Sequence, residues 1–227
     1  LAVHIGSQLT ETAPFRDAYI RMRDLVVMLR ADGLNVERLD LGGGLGIPYG
    51  NSEEPLAGPA EYSEIVRDVF AEFDGQIIFE PGRVIAGNAG VLVTCVIYVK
   101  EGATRSFAIV DAAMNDLTRP SLYDAFHEIV TVDQADEGGE TALYDVVGPI
   151  CETGDTFGAP RPMPVTEAGE LLSVRTAGAY GAVMASTYNA RPMAPEVLVH
   201  GNSFSVIRKR KTIEDLIADD TIPDWLK

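Results

Sequence analysis

The chain has 227 residues, 46% of them hydrophobic, which is enough apolar material for one large folded domain or two smaller ones. Its 34 acidic and 18 basic residues give a net charge of −16, and such a surface repels both nucleic-acid phosphates and anionic membranes. The longest apolar run, Val91 to Val99, is far shorter than the roughly 20 residues of a membrane-spanning helix. We therefore expect neither a nucleic-acid partner nor a membrane partner.

The cysteines and histidines do not form a recognisable metal site. Cys95 and Cys151 are too few and too widely spaced for a disulfide framework or a metal-ligand pattern, so we expect a reducing, cytoplasmic location. His127-Glu128 lacks the second histidine of a zinc-binding helix, and no G-x-S-x-G nucleophile motif is present. The sequence predicts no metal and no hydrolase triad.

The first ninety residues alternate apolar runs with amphipathic segments, which predicts βα units around a parallel sheet. We expect strands at residues 1–6, 38–41 and 76–79. Two helices are predicted between them: one starts after Thr12 and ends before Gly33, and the other covers residues 60–73. The buried face of the first helix is predicted from apolar residues at steps of three and four: Phe15, Tyr19, Met22, Val26 and Leu29.

Beyond Gly90 the helical period disappears and short β-rich runs separated by Gly and Pro take over, which predicts a mainly antiparallel β domain, sandwich or barrel, over residues 89–227. A short helix is expected near Thr212 to Ile217. The seven predicted strands cover residues 91–99, 106–110, 129–132, 143–147, 171–174, 196–199 and 204–207.

Three parallel strands and two helices do not close a hydrophobic core, because strand edges and sheet faces remain open. A (β/α)₈ barrel takes about 250 residues, and residue 1 is not Met. We therefore expect residues 1–88 to be the C-terminal portion of a larger α/β domain whose first part is missing.

Each of the three predicted parallel strands ends in a polar or glycine-rich cluster, and the carboxyl ends of parallel strands line active sites in α/β folds. The three clusters should therefore face one cavity. They are His4-Ile5-Gly6-Ser7-Gln8, Gly42-Gly43-Gly44-Leu45-Gly46 and Glu80-Pro81-Gly82-Arg83.

Each cluster has a structural and a functional interpretation. The glycine run, just ahead of a predicted helical segment, is either a plain turn or a phosphate cradle to which Ser7 adds a hydroxyl. His4 is either a core histidine or a flat ring stacked on a cofactor. Glu80 is either an N-cap or ion-pair partner of Arg83, or a carboxylate that keeps a heteroaromatic ring nitrogen protonated.

Three further sites stand out in the second domain. Cys151 is either an inert buried thiol or, beside Glu152, a proton donor in a loop. Arg119 and Tyr123 are four residues apart and can face one way, as a local cation site for an anionic small molecule. Tyr180, in the small-residue stretch AGAYG, is either a packed tyrosine or a contact to a closely approaching ligand.

Taken together, the ordered motifs HIGSQ, LDLGGGLG, EPGR, CETGD and AGAYG resemble the fold type III, or alanine-racemase-fold, decarboxylases that depend on pyridoxal 5'-phosphate (PLP). The likeness covers the whole chain and is strongest to those members that act on meso-2,6-diaminopimelate. It implies a PLP-binding (β/α)₈ barrel followed by a β domain, and decarboxylation of that substrate to L-lysine and CO₂.

The resemblance also implies roles for the residues already singled out. His4 would stack on the PLP ring, Ser7 and Gly42 to Gly44 would hold its phosphate, and Glu80 would pair with the pyridine nitrogen, with Gly82 in the same motif. Arg83, Arg119 and Tyr123 would grip substrate carboxylates, Glu152 would recognise the distal amino group, and Tyr180 would contact cofactor or substrate. Cys151 would be the proton donor, acting in the partner subunit's site of a homodimer.

One family feature has no counterpart in this sequence. The lysine that binds PLP covalently belongs to an early barrel strand, whereas the only lysines here are Lys100, Lys209, Lys211 and Lys227. The alternatives are therefore a part of another decarboxylase of this fold, acting on ornithine, arginine or carboxynorspermidine, or a non-catalytic relative without the lysine.

Overall fold

A computed structural model describes residues 1–50, 56–133 and 140–226. The chain divides into two compact units, Leu1–Val91 and Leu92–Lys227. Each unit has a hydrophobic core of its own.

The first unit consists of short parallel strands and the helices that follow them. β1 and β2 pair in parallel, with Leu39 opposite Ile77, which agrees with the predicted βα organisation. The elements are α1 (Ala13–Ala31), β1 (Arg38–Asp40), α2 (Pro59–Val69), β2 (Gln76–Ile78) and α3 (Arg83–Ala86), followed by a 3₁₀ turn at Gly87–Ala89.

The core of this unit lies between α1, α2 and β1. Leu39 of β1 is fully buried between apolar residues that recur at helical spacing on α1 and α2. The predicted stripe on α1 is confirmed for four of its five residues, Leu29 being only partly buried. The buried helical residues are Phe15, Tyr19, Met22 and Val26 on α1, and Ile65, Val66 and Val69 on α2.

The strand predicted for residues 1–6 is longer than the segment that pairs in the structure. A single parallel bridge joins Ala2 to Asp40, supported by a hydrogen bond of 2.9 Å from the Val3 N–H to the Asp40 carbonyl. Gly6 has a φ of +135°, which takes the backbone out of the extended conformation. Pairing with β1 is confined to residues 1–3, and Gly6 turns the backbone three residues further on.

The second unit is built on a mixed six-stranded sheet with the order β5-β8-β3-β4-β6-β7. A five-residue helix, α4 (Arg119–Tyr123), lies between β4 and β5 in the sequence. The strands are β3 (Leu92–Glu101), β4 (Ser106–Val110), β5 (Ile129–Thr131), β6 (Thr141–Val147), β7 (Arg161–Pro164) and β8 (Leu171–Val174).

Two features of this sheet differ from the sequence-based expectation. β4 and β6 pair in parallel, with Ala108 opposite Val146, so the sheet is not antiparallel throughout. The long connection between them, residues 111–140, is what a parallel pair requires. β7 was not predicted, because Pro162 and Pro164 argue against a strand; both are tolerated because β7 lies at the edge of the sheet.

A separate antiparallel hairpin, β9 (Glu196–His200) and β10 (Ser203–Arg208), precedes the last helix, α5 (Ile213–Ile217). Thr212 caps α5 by accepting a hydrogen bond of 3.1 Å from the Asp215 N–H, as expected for a helix starting there. In the described part of the chain no helix is both long enough and apolar enough to cross a membrane.

Candidate functional site

The three strand-end clusters of the first unit are in backbone contact. A Cβ atom placed on Gly43 would lie 2.2 Å from the carbonyl oxygen of Glu80, and one on Gly44 would lie 2.3 Å from that of Gly6. No side chain fits at either distance, so glycine is required there. The glycine run therefore lies between the His4 cluster and the Glu80 cluster.

The glycine run is not followed directly by a helix, contrary to the sequence-based expectation. Among the described residues, the next helix is α2, which begins at Pro59. The Gly42 N–H donates a hydrogen bond of 2.9 Å to the carboxylate of Asp40, so the first glycine amide is already engaged within the protein. A phosphate contact from the Gly42 amide would have to share or replace this hydrogen bond, and no described residue directly behind the run is helical.

Arg83 and Ser7 form a donor pair at the same edge. The Arg83 Nη2 atom donates to Ser7 Oγ over 3.0 Å, and Nη1 donates to the Tyr49 hydroxyl. The Arg83 guanidinium carbon also lies 5.6 Å from the centroid of the Tyr49 ring. A guanidinium beside a hydroxyl suits a phosphate or a carboxylate. Tyr49 has no motif around it that would have identified it from the sequence.

His4 and Glu80 are both exposed in the structure. The core interpretation of His4 is therefore wrong, because a core histidine would be buried. Its ring is available for contact with a ligand. The same is true of the Glu80 carboxylate, which belongs to the segment that packs against Gly43.

A cavity of about 300 Å³ opens beside the glycine run, and its walls are largely apolar. The hydroxyls of Tyr62 and the buried Tyr19 are 2.6 Å apart, and the Tyr19 hydroxyl donates to the Leu41 carbonyl over 3.1 Å. Burial raises the pKa of both phenols. The lining includes Gly43, Leu45, Tyr62, Phe79, Gly82 and Val84.

The strand-end edge has several of the features that hold PLP, apart from the lysine that binds it covalently. It has two close-packed glycines, a hydroxyl and a guanidinium for an anionic phosphate, an exposed imidazole for a flat ring, and an exposed carboxylate for a ring nitrogen. The residues present therefore fit the cofactor implied by the sequence motifs.

In the second unit, α4 carries Arg119 and Tyr123 at opposite ends. Arg119 is buried, and its Nη1 atom lies 2.8 Å from Nε2 of the fully buried His127, whereas Tyr123 is exposed. The Ser121 hydroxyl, between them, donates to the carbonyl of Gly154. The helix is therefore tied to the loop that contains Cys151 and Glu152.

The Cys151 loop is held by one buried carboxylate. Asp155 accepts hydrogen bonds from the Met114 N–H and the Ile150 N–H, both over 2.7 Å. Cys151 itself is exposed, so the interpretation of an inert buried thiol is wrong. The neighbouring Glu152 is exposed as well, which leaves a thiol and a carboxylate side by side on an anchored loop.

Tyr188 is a residue of this region that the sequence did not reveal. Its hydroxyl donates a hydrogen bond to the Glu152 carboxylate, which raises the pKa of the phenol. The loop around Tyr188 is fastened by Arg191, which donates to Asn115 Oδ1 over 3.0 Å and to the Asp111 carbonyl. No periodicity or motif links positions 36 residues apart, so only the fold could bring this pair together.

Tyr180 has a φ of +59°, which is rare for a residue with a side chain. The next residue, Gly181, is forced to be glycine, since a Cβ there would lie 2.1 Å from the Ala177 carbonyl. Tyr180 is 41% exposed, so part of its side chain can be reached by a ligand. Residues with strained backbone cluster at functional sites, which keeps Tyr180 a candidate ligand contact.

Known proteins resemble this chain along its whole length. Residues 18–178 match the family described as pyridoxal-dependent decarboxylase, C-terminal sheet domain. Diaminopimelate decarboxylase from Zymomonas mobilis is 46% identical over 226 residues, covering 100% of this chain and 53% of the relative. The enzyme of that name from Neisseria meningitidis serogroup B is 49% identical, covering 96% and 51%.

Among solved structures, diaminopimelate decarboxylase from M. jannaschii in co-complex with L-lysine superposes with a TM-score of 0.93 at 35% identity, covering 100% of this chain and 52% of that one. The chain spans about half the length of these relatives and aligns with their C-terminal half. With more than half of its residues matched by the family model and its fold shared with a solved member, the chain belongs to the pyridoxal-dependent decarboxylases and contains their C-terminal sheet domain.

Proposed function

We propose that the chain is the C-terminal part of an enzyme that decarboxylates meso-2,6-diaminopimelate to L-lysine and CO₂ with PLP. The observation that carries this proposal is the 46% identity to a diaminopimelate decarboxylase along the entire chain. The full-length protein would supply the remaining barrel strands and the lysine that binds the cofactor. Residues 1–88 would then be the C-terminal portion of the (β/α)₈ barrel.

The strand-end edge of the first unit is the proposed cofactor site. When bound, PLP supplies an electron sink for the electron pair released as CO₂ leaves. His4 would orient the ring by stacking, Glu80 would hold the proton on the ring nitrogen, and Ser7 would donate to the phosphate. The remaining proposed contacts are Gly42, Gly43, Gly44, Gly82, Arg83 and Tyr180.

The proposed substrate residues match the chemistry of a diamino diacid. A carboxylate needs cationic donors, and a protonated amine needs a carboxylate. Glu152, fixed by Tyr188, would bind the distal ammonium group of the substrate. The carboxylate ligands would be Arg83, Arg119 and Tyr123, with Tyr180 as an additional contact.

Cys151 is the proposed proton donor. The carbon that loses CO₂ must receive one proton, and the Cys151 thiol, exposed on a loop fixed by Asp155, could deliver it from Sγ and regain one from water. From the family resemblance we also propose a cytoplasmic homodimer in which Cys151 acts in the partner subunit's site.

The direct test is an assay of the purified full-length protein with PLP, measuring lysine and CO₂ from meso-diaminopimelate. Ornithine, arginine and carboxynorspermidine are the competing substrates. We expect turnover of meso-diaminopimelate to exceed that of the others by at least about 100-fold in kcat/KM, because a site built to pair a substrate charge rejects an analogue lacking it. Preferential turnover of any competitor, or no decarboxylation, would overturn the proposal.

A matched pair of cysteine variants tests the proton donor. Cys151→Ala should lower kcat by about 100-fold or more, because proton transfer by a positioned group contributes that much. Cys95→Ala, on β3, should leave kcat within about twofold, since Cys95 has no proposed catalytic role. Equal kcat values for the two variants would exclude Cys151 as the donor.

A further inference from the structure

His127 is a fully buried histidine whose two ring nitrogens both have partners. Its Nδ1 atom lies 2.9 Å from the Arg175 carbonyl oxygen, and its Nε2 atom lies 2.8 Å from Arg119 Nη1. A carbonyl only accepts hydrogen bonds and a guanidinium only donates them. Nδ1 must therefore carry the proton and Nε2 must accept, which fixes His127 as one neutral tautomer.

The protein holds His127 from its backbone as well as from its ring. The Arg161 guanidinium donates to the carbonyl of His127 and, over 2.6 Å, to the carbonyl of Phe157. Arg161 is itself buried and lies 5.1 Å from the centroid of the Phe126 ring. With the ring and the backbone both fixed, the acceptor atom Nε2 has a defined position.

The partner of Nε2 is a residue that the proposed function places on the substrate. A carboxylate in the place of His127 would cancel the charge of Arg119, whereas a neutral imidazole orients the guanidinium without adding a charge of its own. His127 therefore does not reduce the positive charge of Arg119. An Arg that must bind an anion benefits from this kind of support.

We propose that His127 is a positioning residue for substrate recognition: its Nε2 atom orients the Arg119 guanidinium toward the substrate carboxylate that is kept in the product. This inference rests on the proposed function. The retained carboxylate is the appropriate ligand, because an ion pair with the departing carboxylate would stabilise the ground state and slow the loss of CO₂. His127 should therefore affect binding more than the chemical step.

Two substitutions separate this role from a contribution to folding. In His127→Asn, the amide N–H₂ can replace Nδ1 and donate to the Arg175 carbonyl, but the side chain is too short to reach Arg119. In His127→Gln, the longer amide can place an acceptor oxygen where Nε2 lies. Asn therefore removes the contact to Arg119, and Gln restores it.

The experiment uses the full-length holoenzyme and measures kcat and KM for meso-diaminopimelate, the dissociation constant of L-lysine by calorimetry, and the thermal midpoint. We expect His127→Asn to raise KM and the L-lysine dissociation constant by about tenfold or more, the usual loss for a hydrogen bond to a charged group, with kcat within about threefold. His127→Gln should recover most of this loss. An unchanged KM in His127→Asn, or equal losses in both variants, would overturn the inference.

A double-mutant cycle with Arg119→Gln shows whether His127 acts through Arg119. If it does, adding His127→Asn to Arg119→Gln raises KM by less than about twofold, since the contact is already lost. Multiplying effects would overturn the inference. If the unsubstituted enzyme does not decarboxylate meso-diaminopimelate, the proposed function itself has failed; an active enzyme with an unaltered His127→Asn variant contradicts only the role of His127.

Discussion

The ideal Cβ position of Gly43 lies 2.2 Å from the carbonyl oxygen of Glu80, a distance that real Cβ atoms do not adopt. Any side chain at Gly43 must therefore displace the backbone on which Glu80 is held. The close approach couples the proposed phosphate contact to the carboxylate proposed for the ring nitrogen. A single methyl group should disturb both.

We predict that Gly43→Ala weakens PLP binding by the full-length protein about fivefold or more, because a backbone shift of this kind costs about 1–3 kcal/mol. A titration of the apoprotein with PLP, followed by visible absorption, measures the dissociation constant. Gly33→Ala is the matched control: Gly33 has a φ of +82° after α1, and its Cβ would meet nothing within 4 Å. The control should lose about 1 kcal/mol of stability while PLP affinity stays unchanged. Similar PLP affinity in Gly43→Ala and wild type would contradict the prediction.

The hydrogen bond from Tyr188 to Glu152 should matter for substrate affinity. Tyr188→Phe removes the hydroxyl that holds the carboxylate proposed for the distal ammonium group. We expect KM for meso-diaminopimelate to rise about threefold to tenfold with little change in kcat, because one hydrogen bond to an exposed charged group is lost. Tyr98→Phe, an exposed tyrosine on β3, is the control and should match wild type. A fall in kcat at constant KM would instead place Tyr188 in the chemical step.

The fold could be predicted from the sequence where the signal was local. The period of the α1 stripe set its buried face, and β4 and β8 have the predicted bounds. β7 was missed because its two prolines outweigh its pattern, and the first strand was predicted too long because only residues 1–3 pair with β1. β7 forms despite its prolines because it lies at the edge of the sheet, a position that the sequence alone does not reveal.

The candidate site could likewise be predicted only in part. Glycine-rich and acidic motifs made the strand ends recognisable in the sequence, because each of these residue types has a role that its immediate neighbours indicate. The supporting residues Asp155, Tyr188 and His127 act on partners that only the fold brings close, such as Asp155 with the N–H of Met114, 41 residues away. A single sequence contains no signal for such pairs, which is why the residues that position the site escaped prediction.

Asp155 should be needed both for folding and for placing Cys151. Asp155→Asn puts an amide N–H₂ against one of the two backbone N–H groups that the carboxylate now accepts from. We expect a loss of about 2–3 kcal/mol in stability, as for a buried donor left unpaired, and a lower kcat because the Cys151 loop is no longer held. Urea unfolding and steady-state kinetics measure the two effects.

The control for Asp155→Asn is Asp219→Asn, which changes an exposed acid after α5 and should leave both quantities as in wild type. If Asp155→Asn lowers stability while kcat is preserved, Asp155 stabilises the fold but does not position Cys151 for proton transfer.

The pair of Tyr19 and Tyr62 predicts a dependence of stability on alkaline pH. Burial, and then the hydrogen bond with Tyr62, raise the pKa of the Tyr19 phenol well above its ordinary value of 10.0. A group whose pKa is higher in the folded state stabilises the fold fully below its unfolded pKa, and this contribution is lost as pH rises beyond it. Ionising Tyr19 inside the core is unfavourable, so the native state must weaken above about pH 10.

We therefore expect the urea midpoint of wild type to fall more steeply between pH 8 and pH 11 than that of Tyr19→Phe. At pH 8 the variant should be less stable by about 1 kcal/mol, since the hydrogen bond to the Leu41 carbonyl is lost. The two curves should converge as pH rises. Tyr98→Phe, which removes an exposed phenol, should follow the wild-type curve throughout. Parallel curves for wild type and Tyr19→Phe would show that Tyr19 does not titrate differently in the folded and unfolded states.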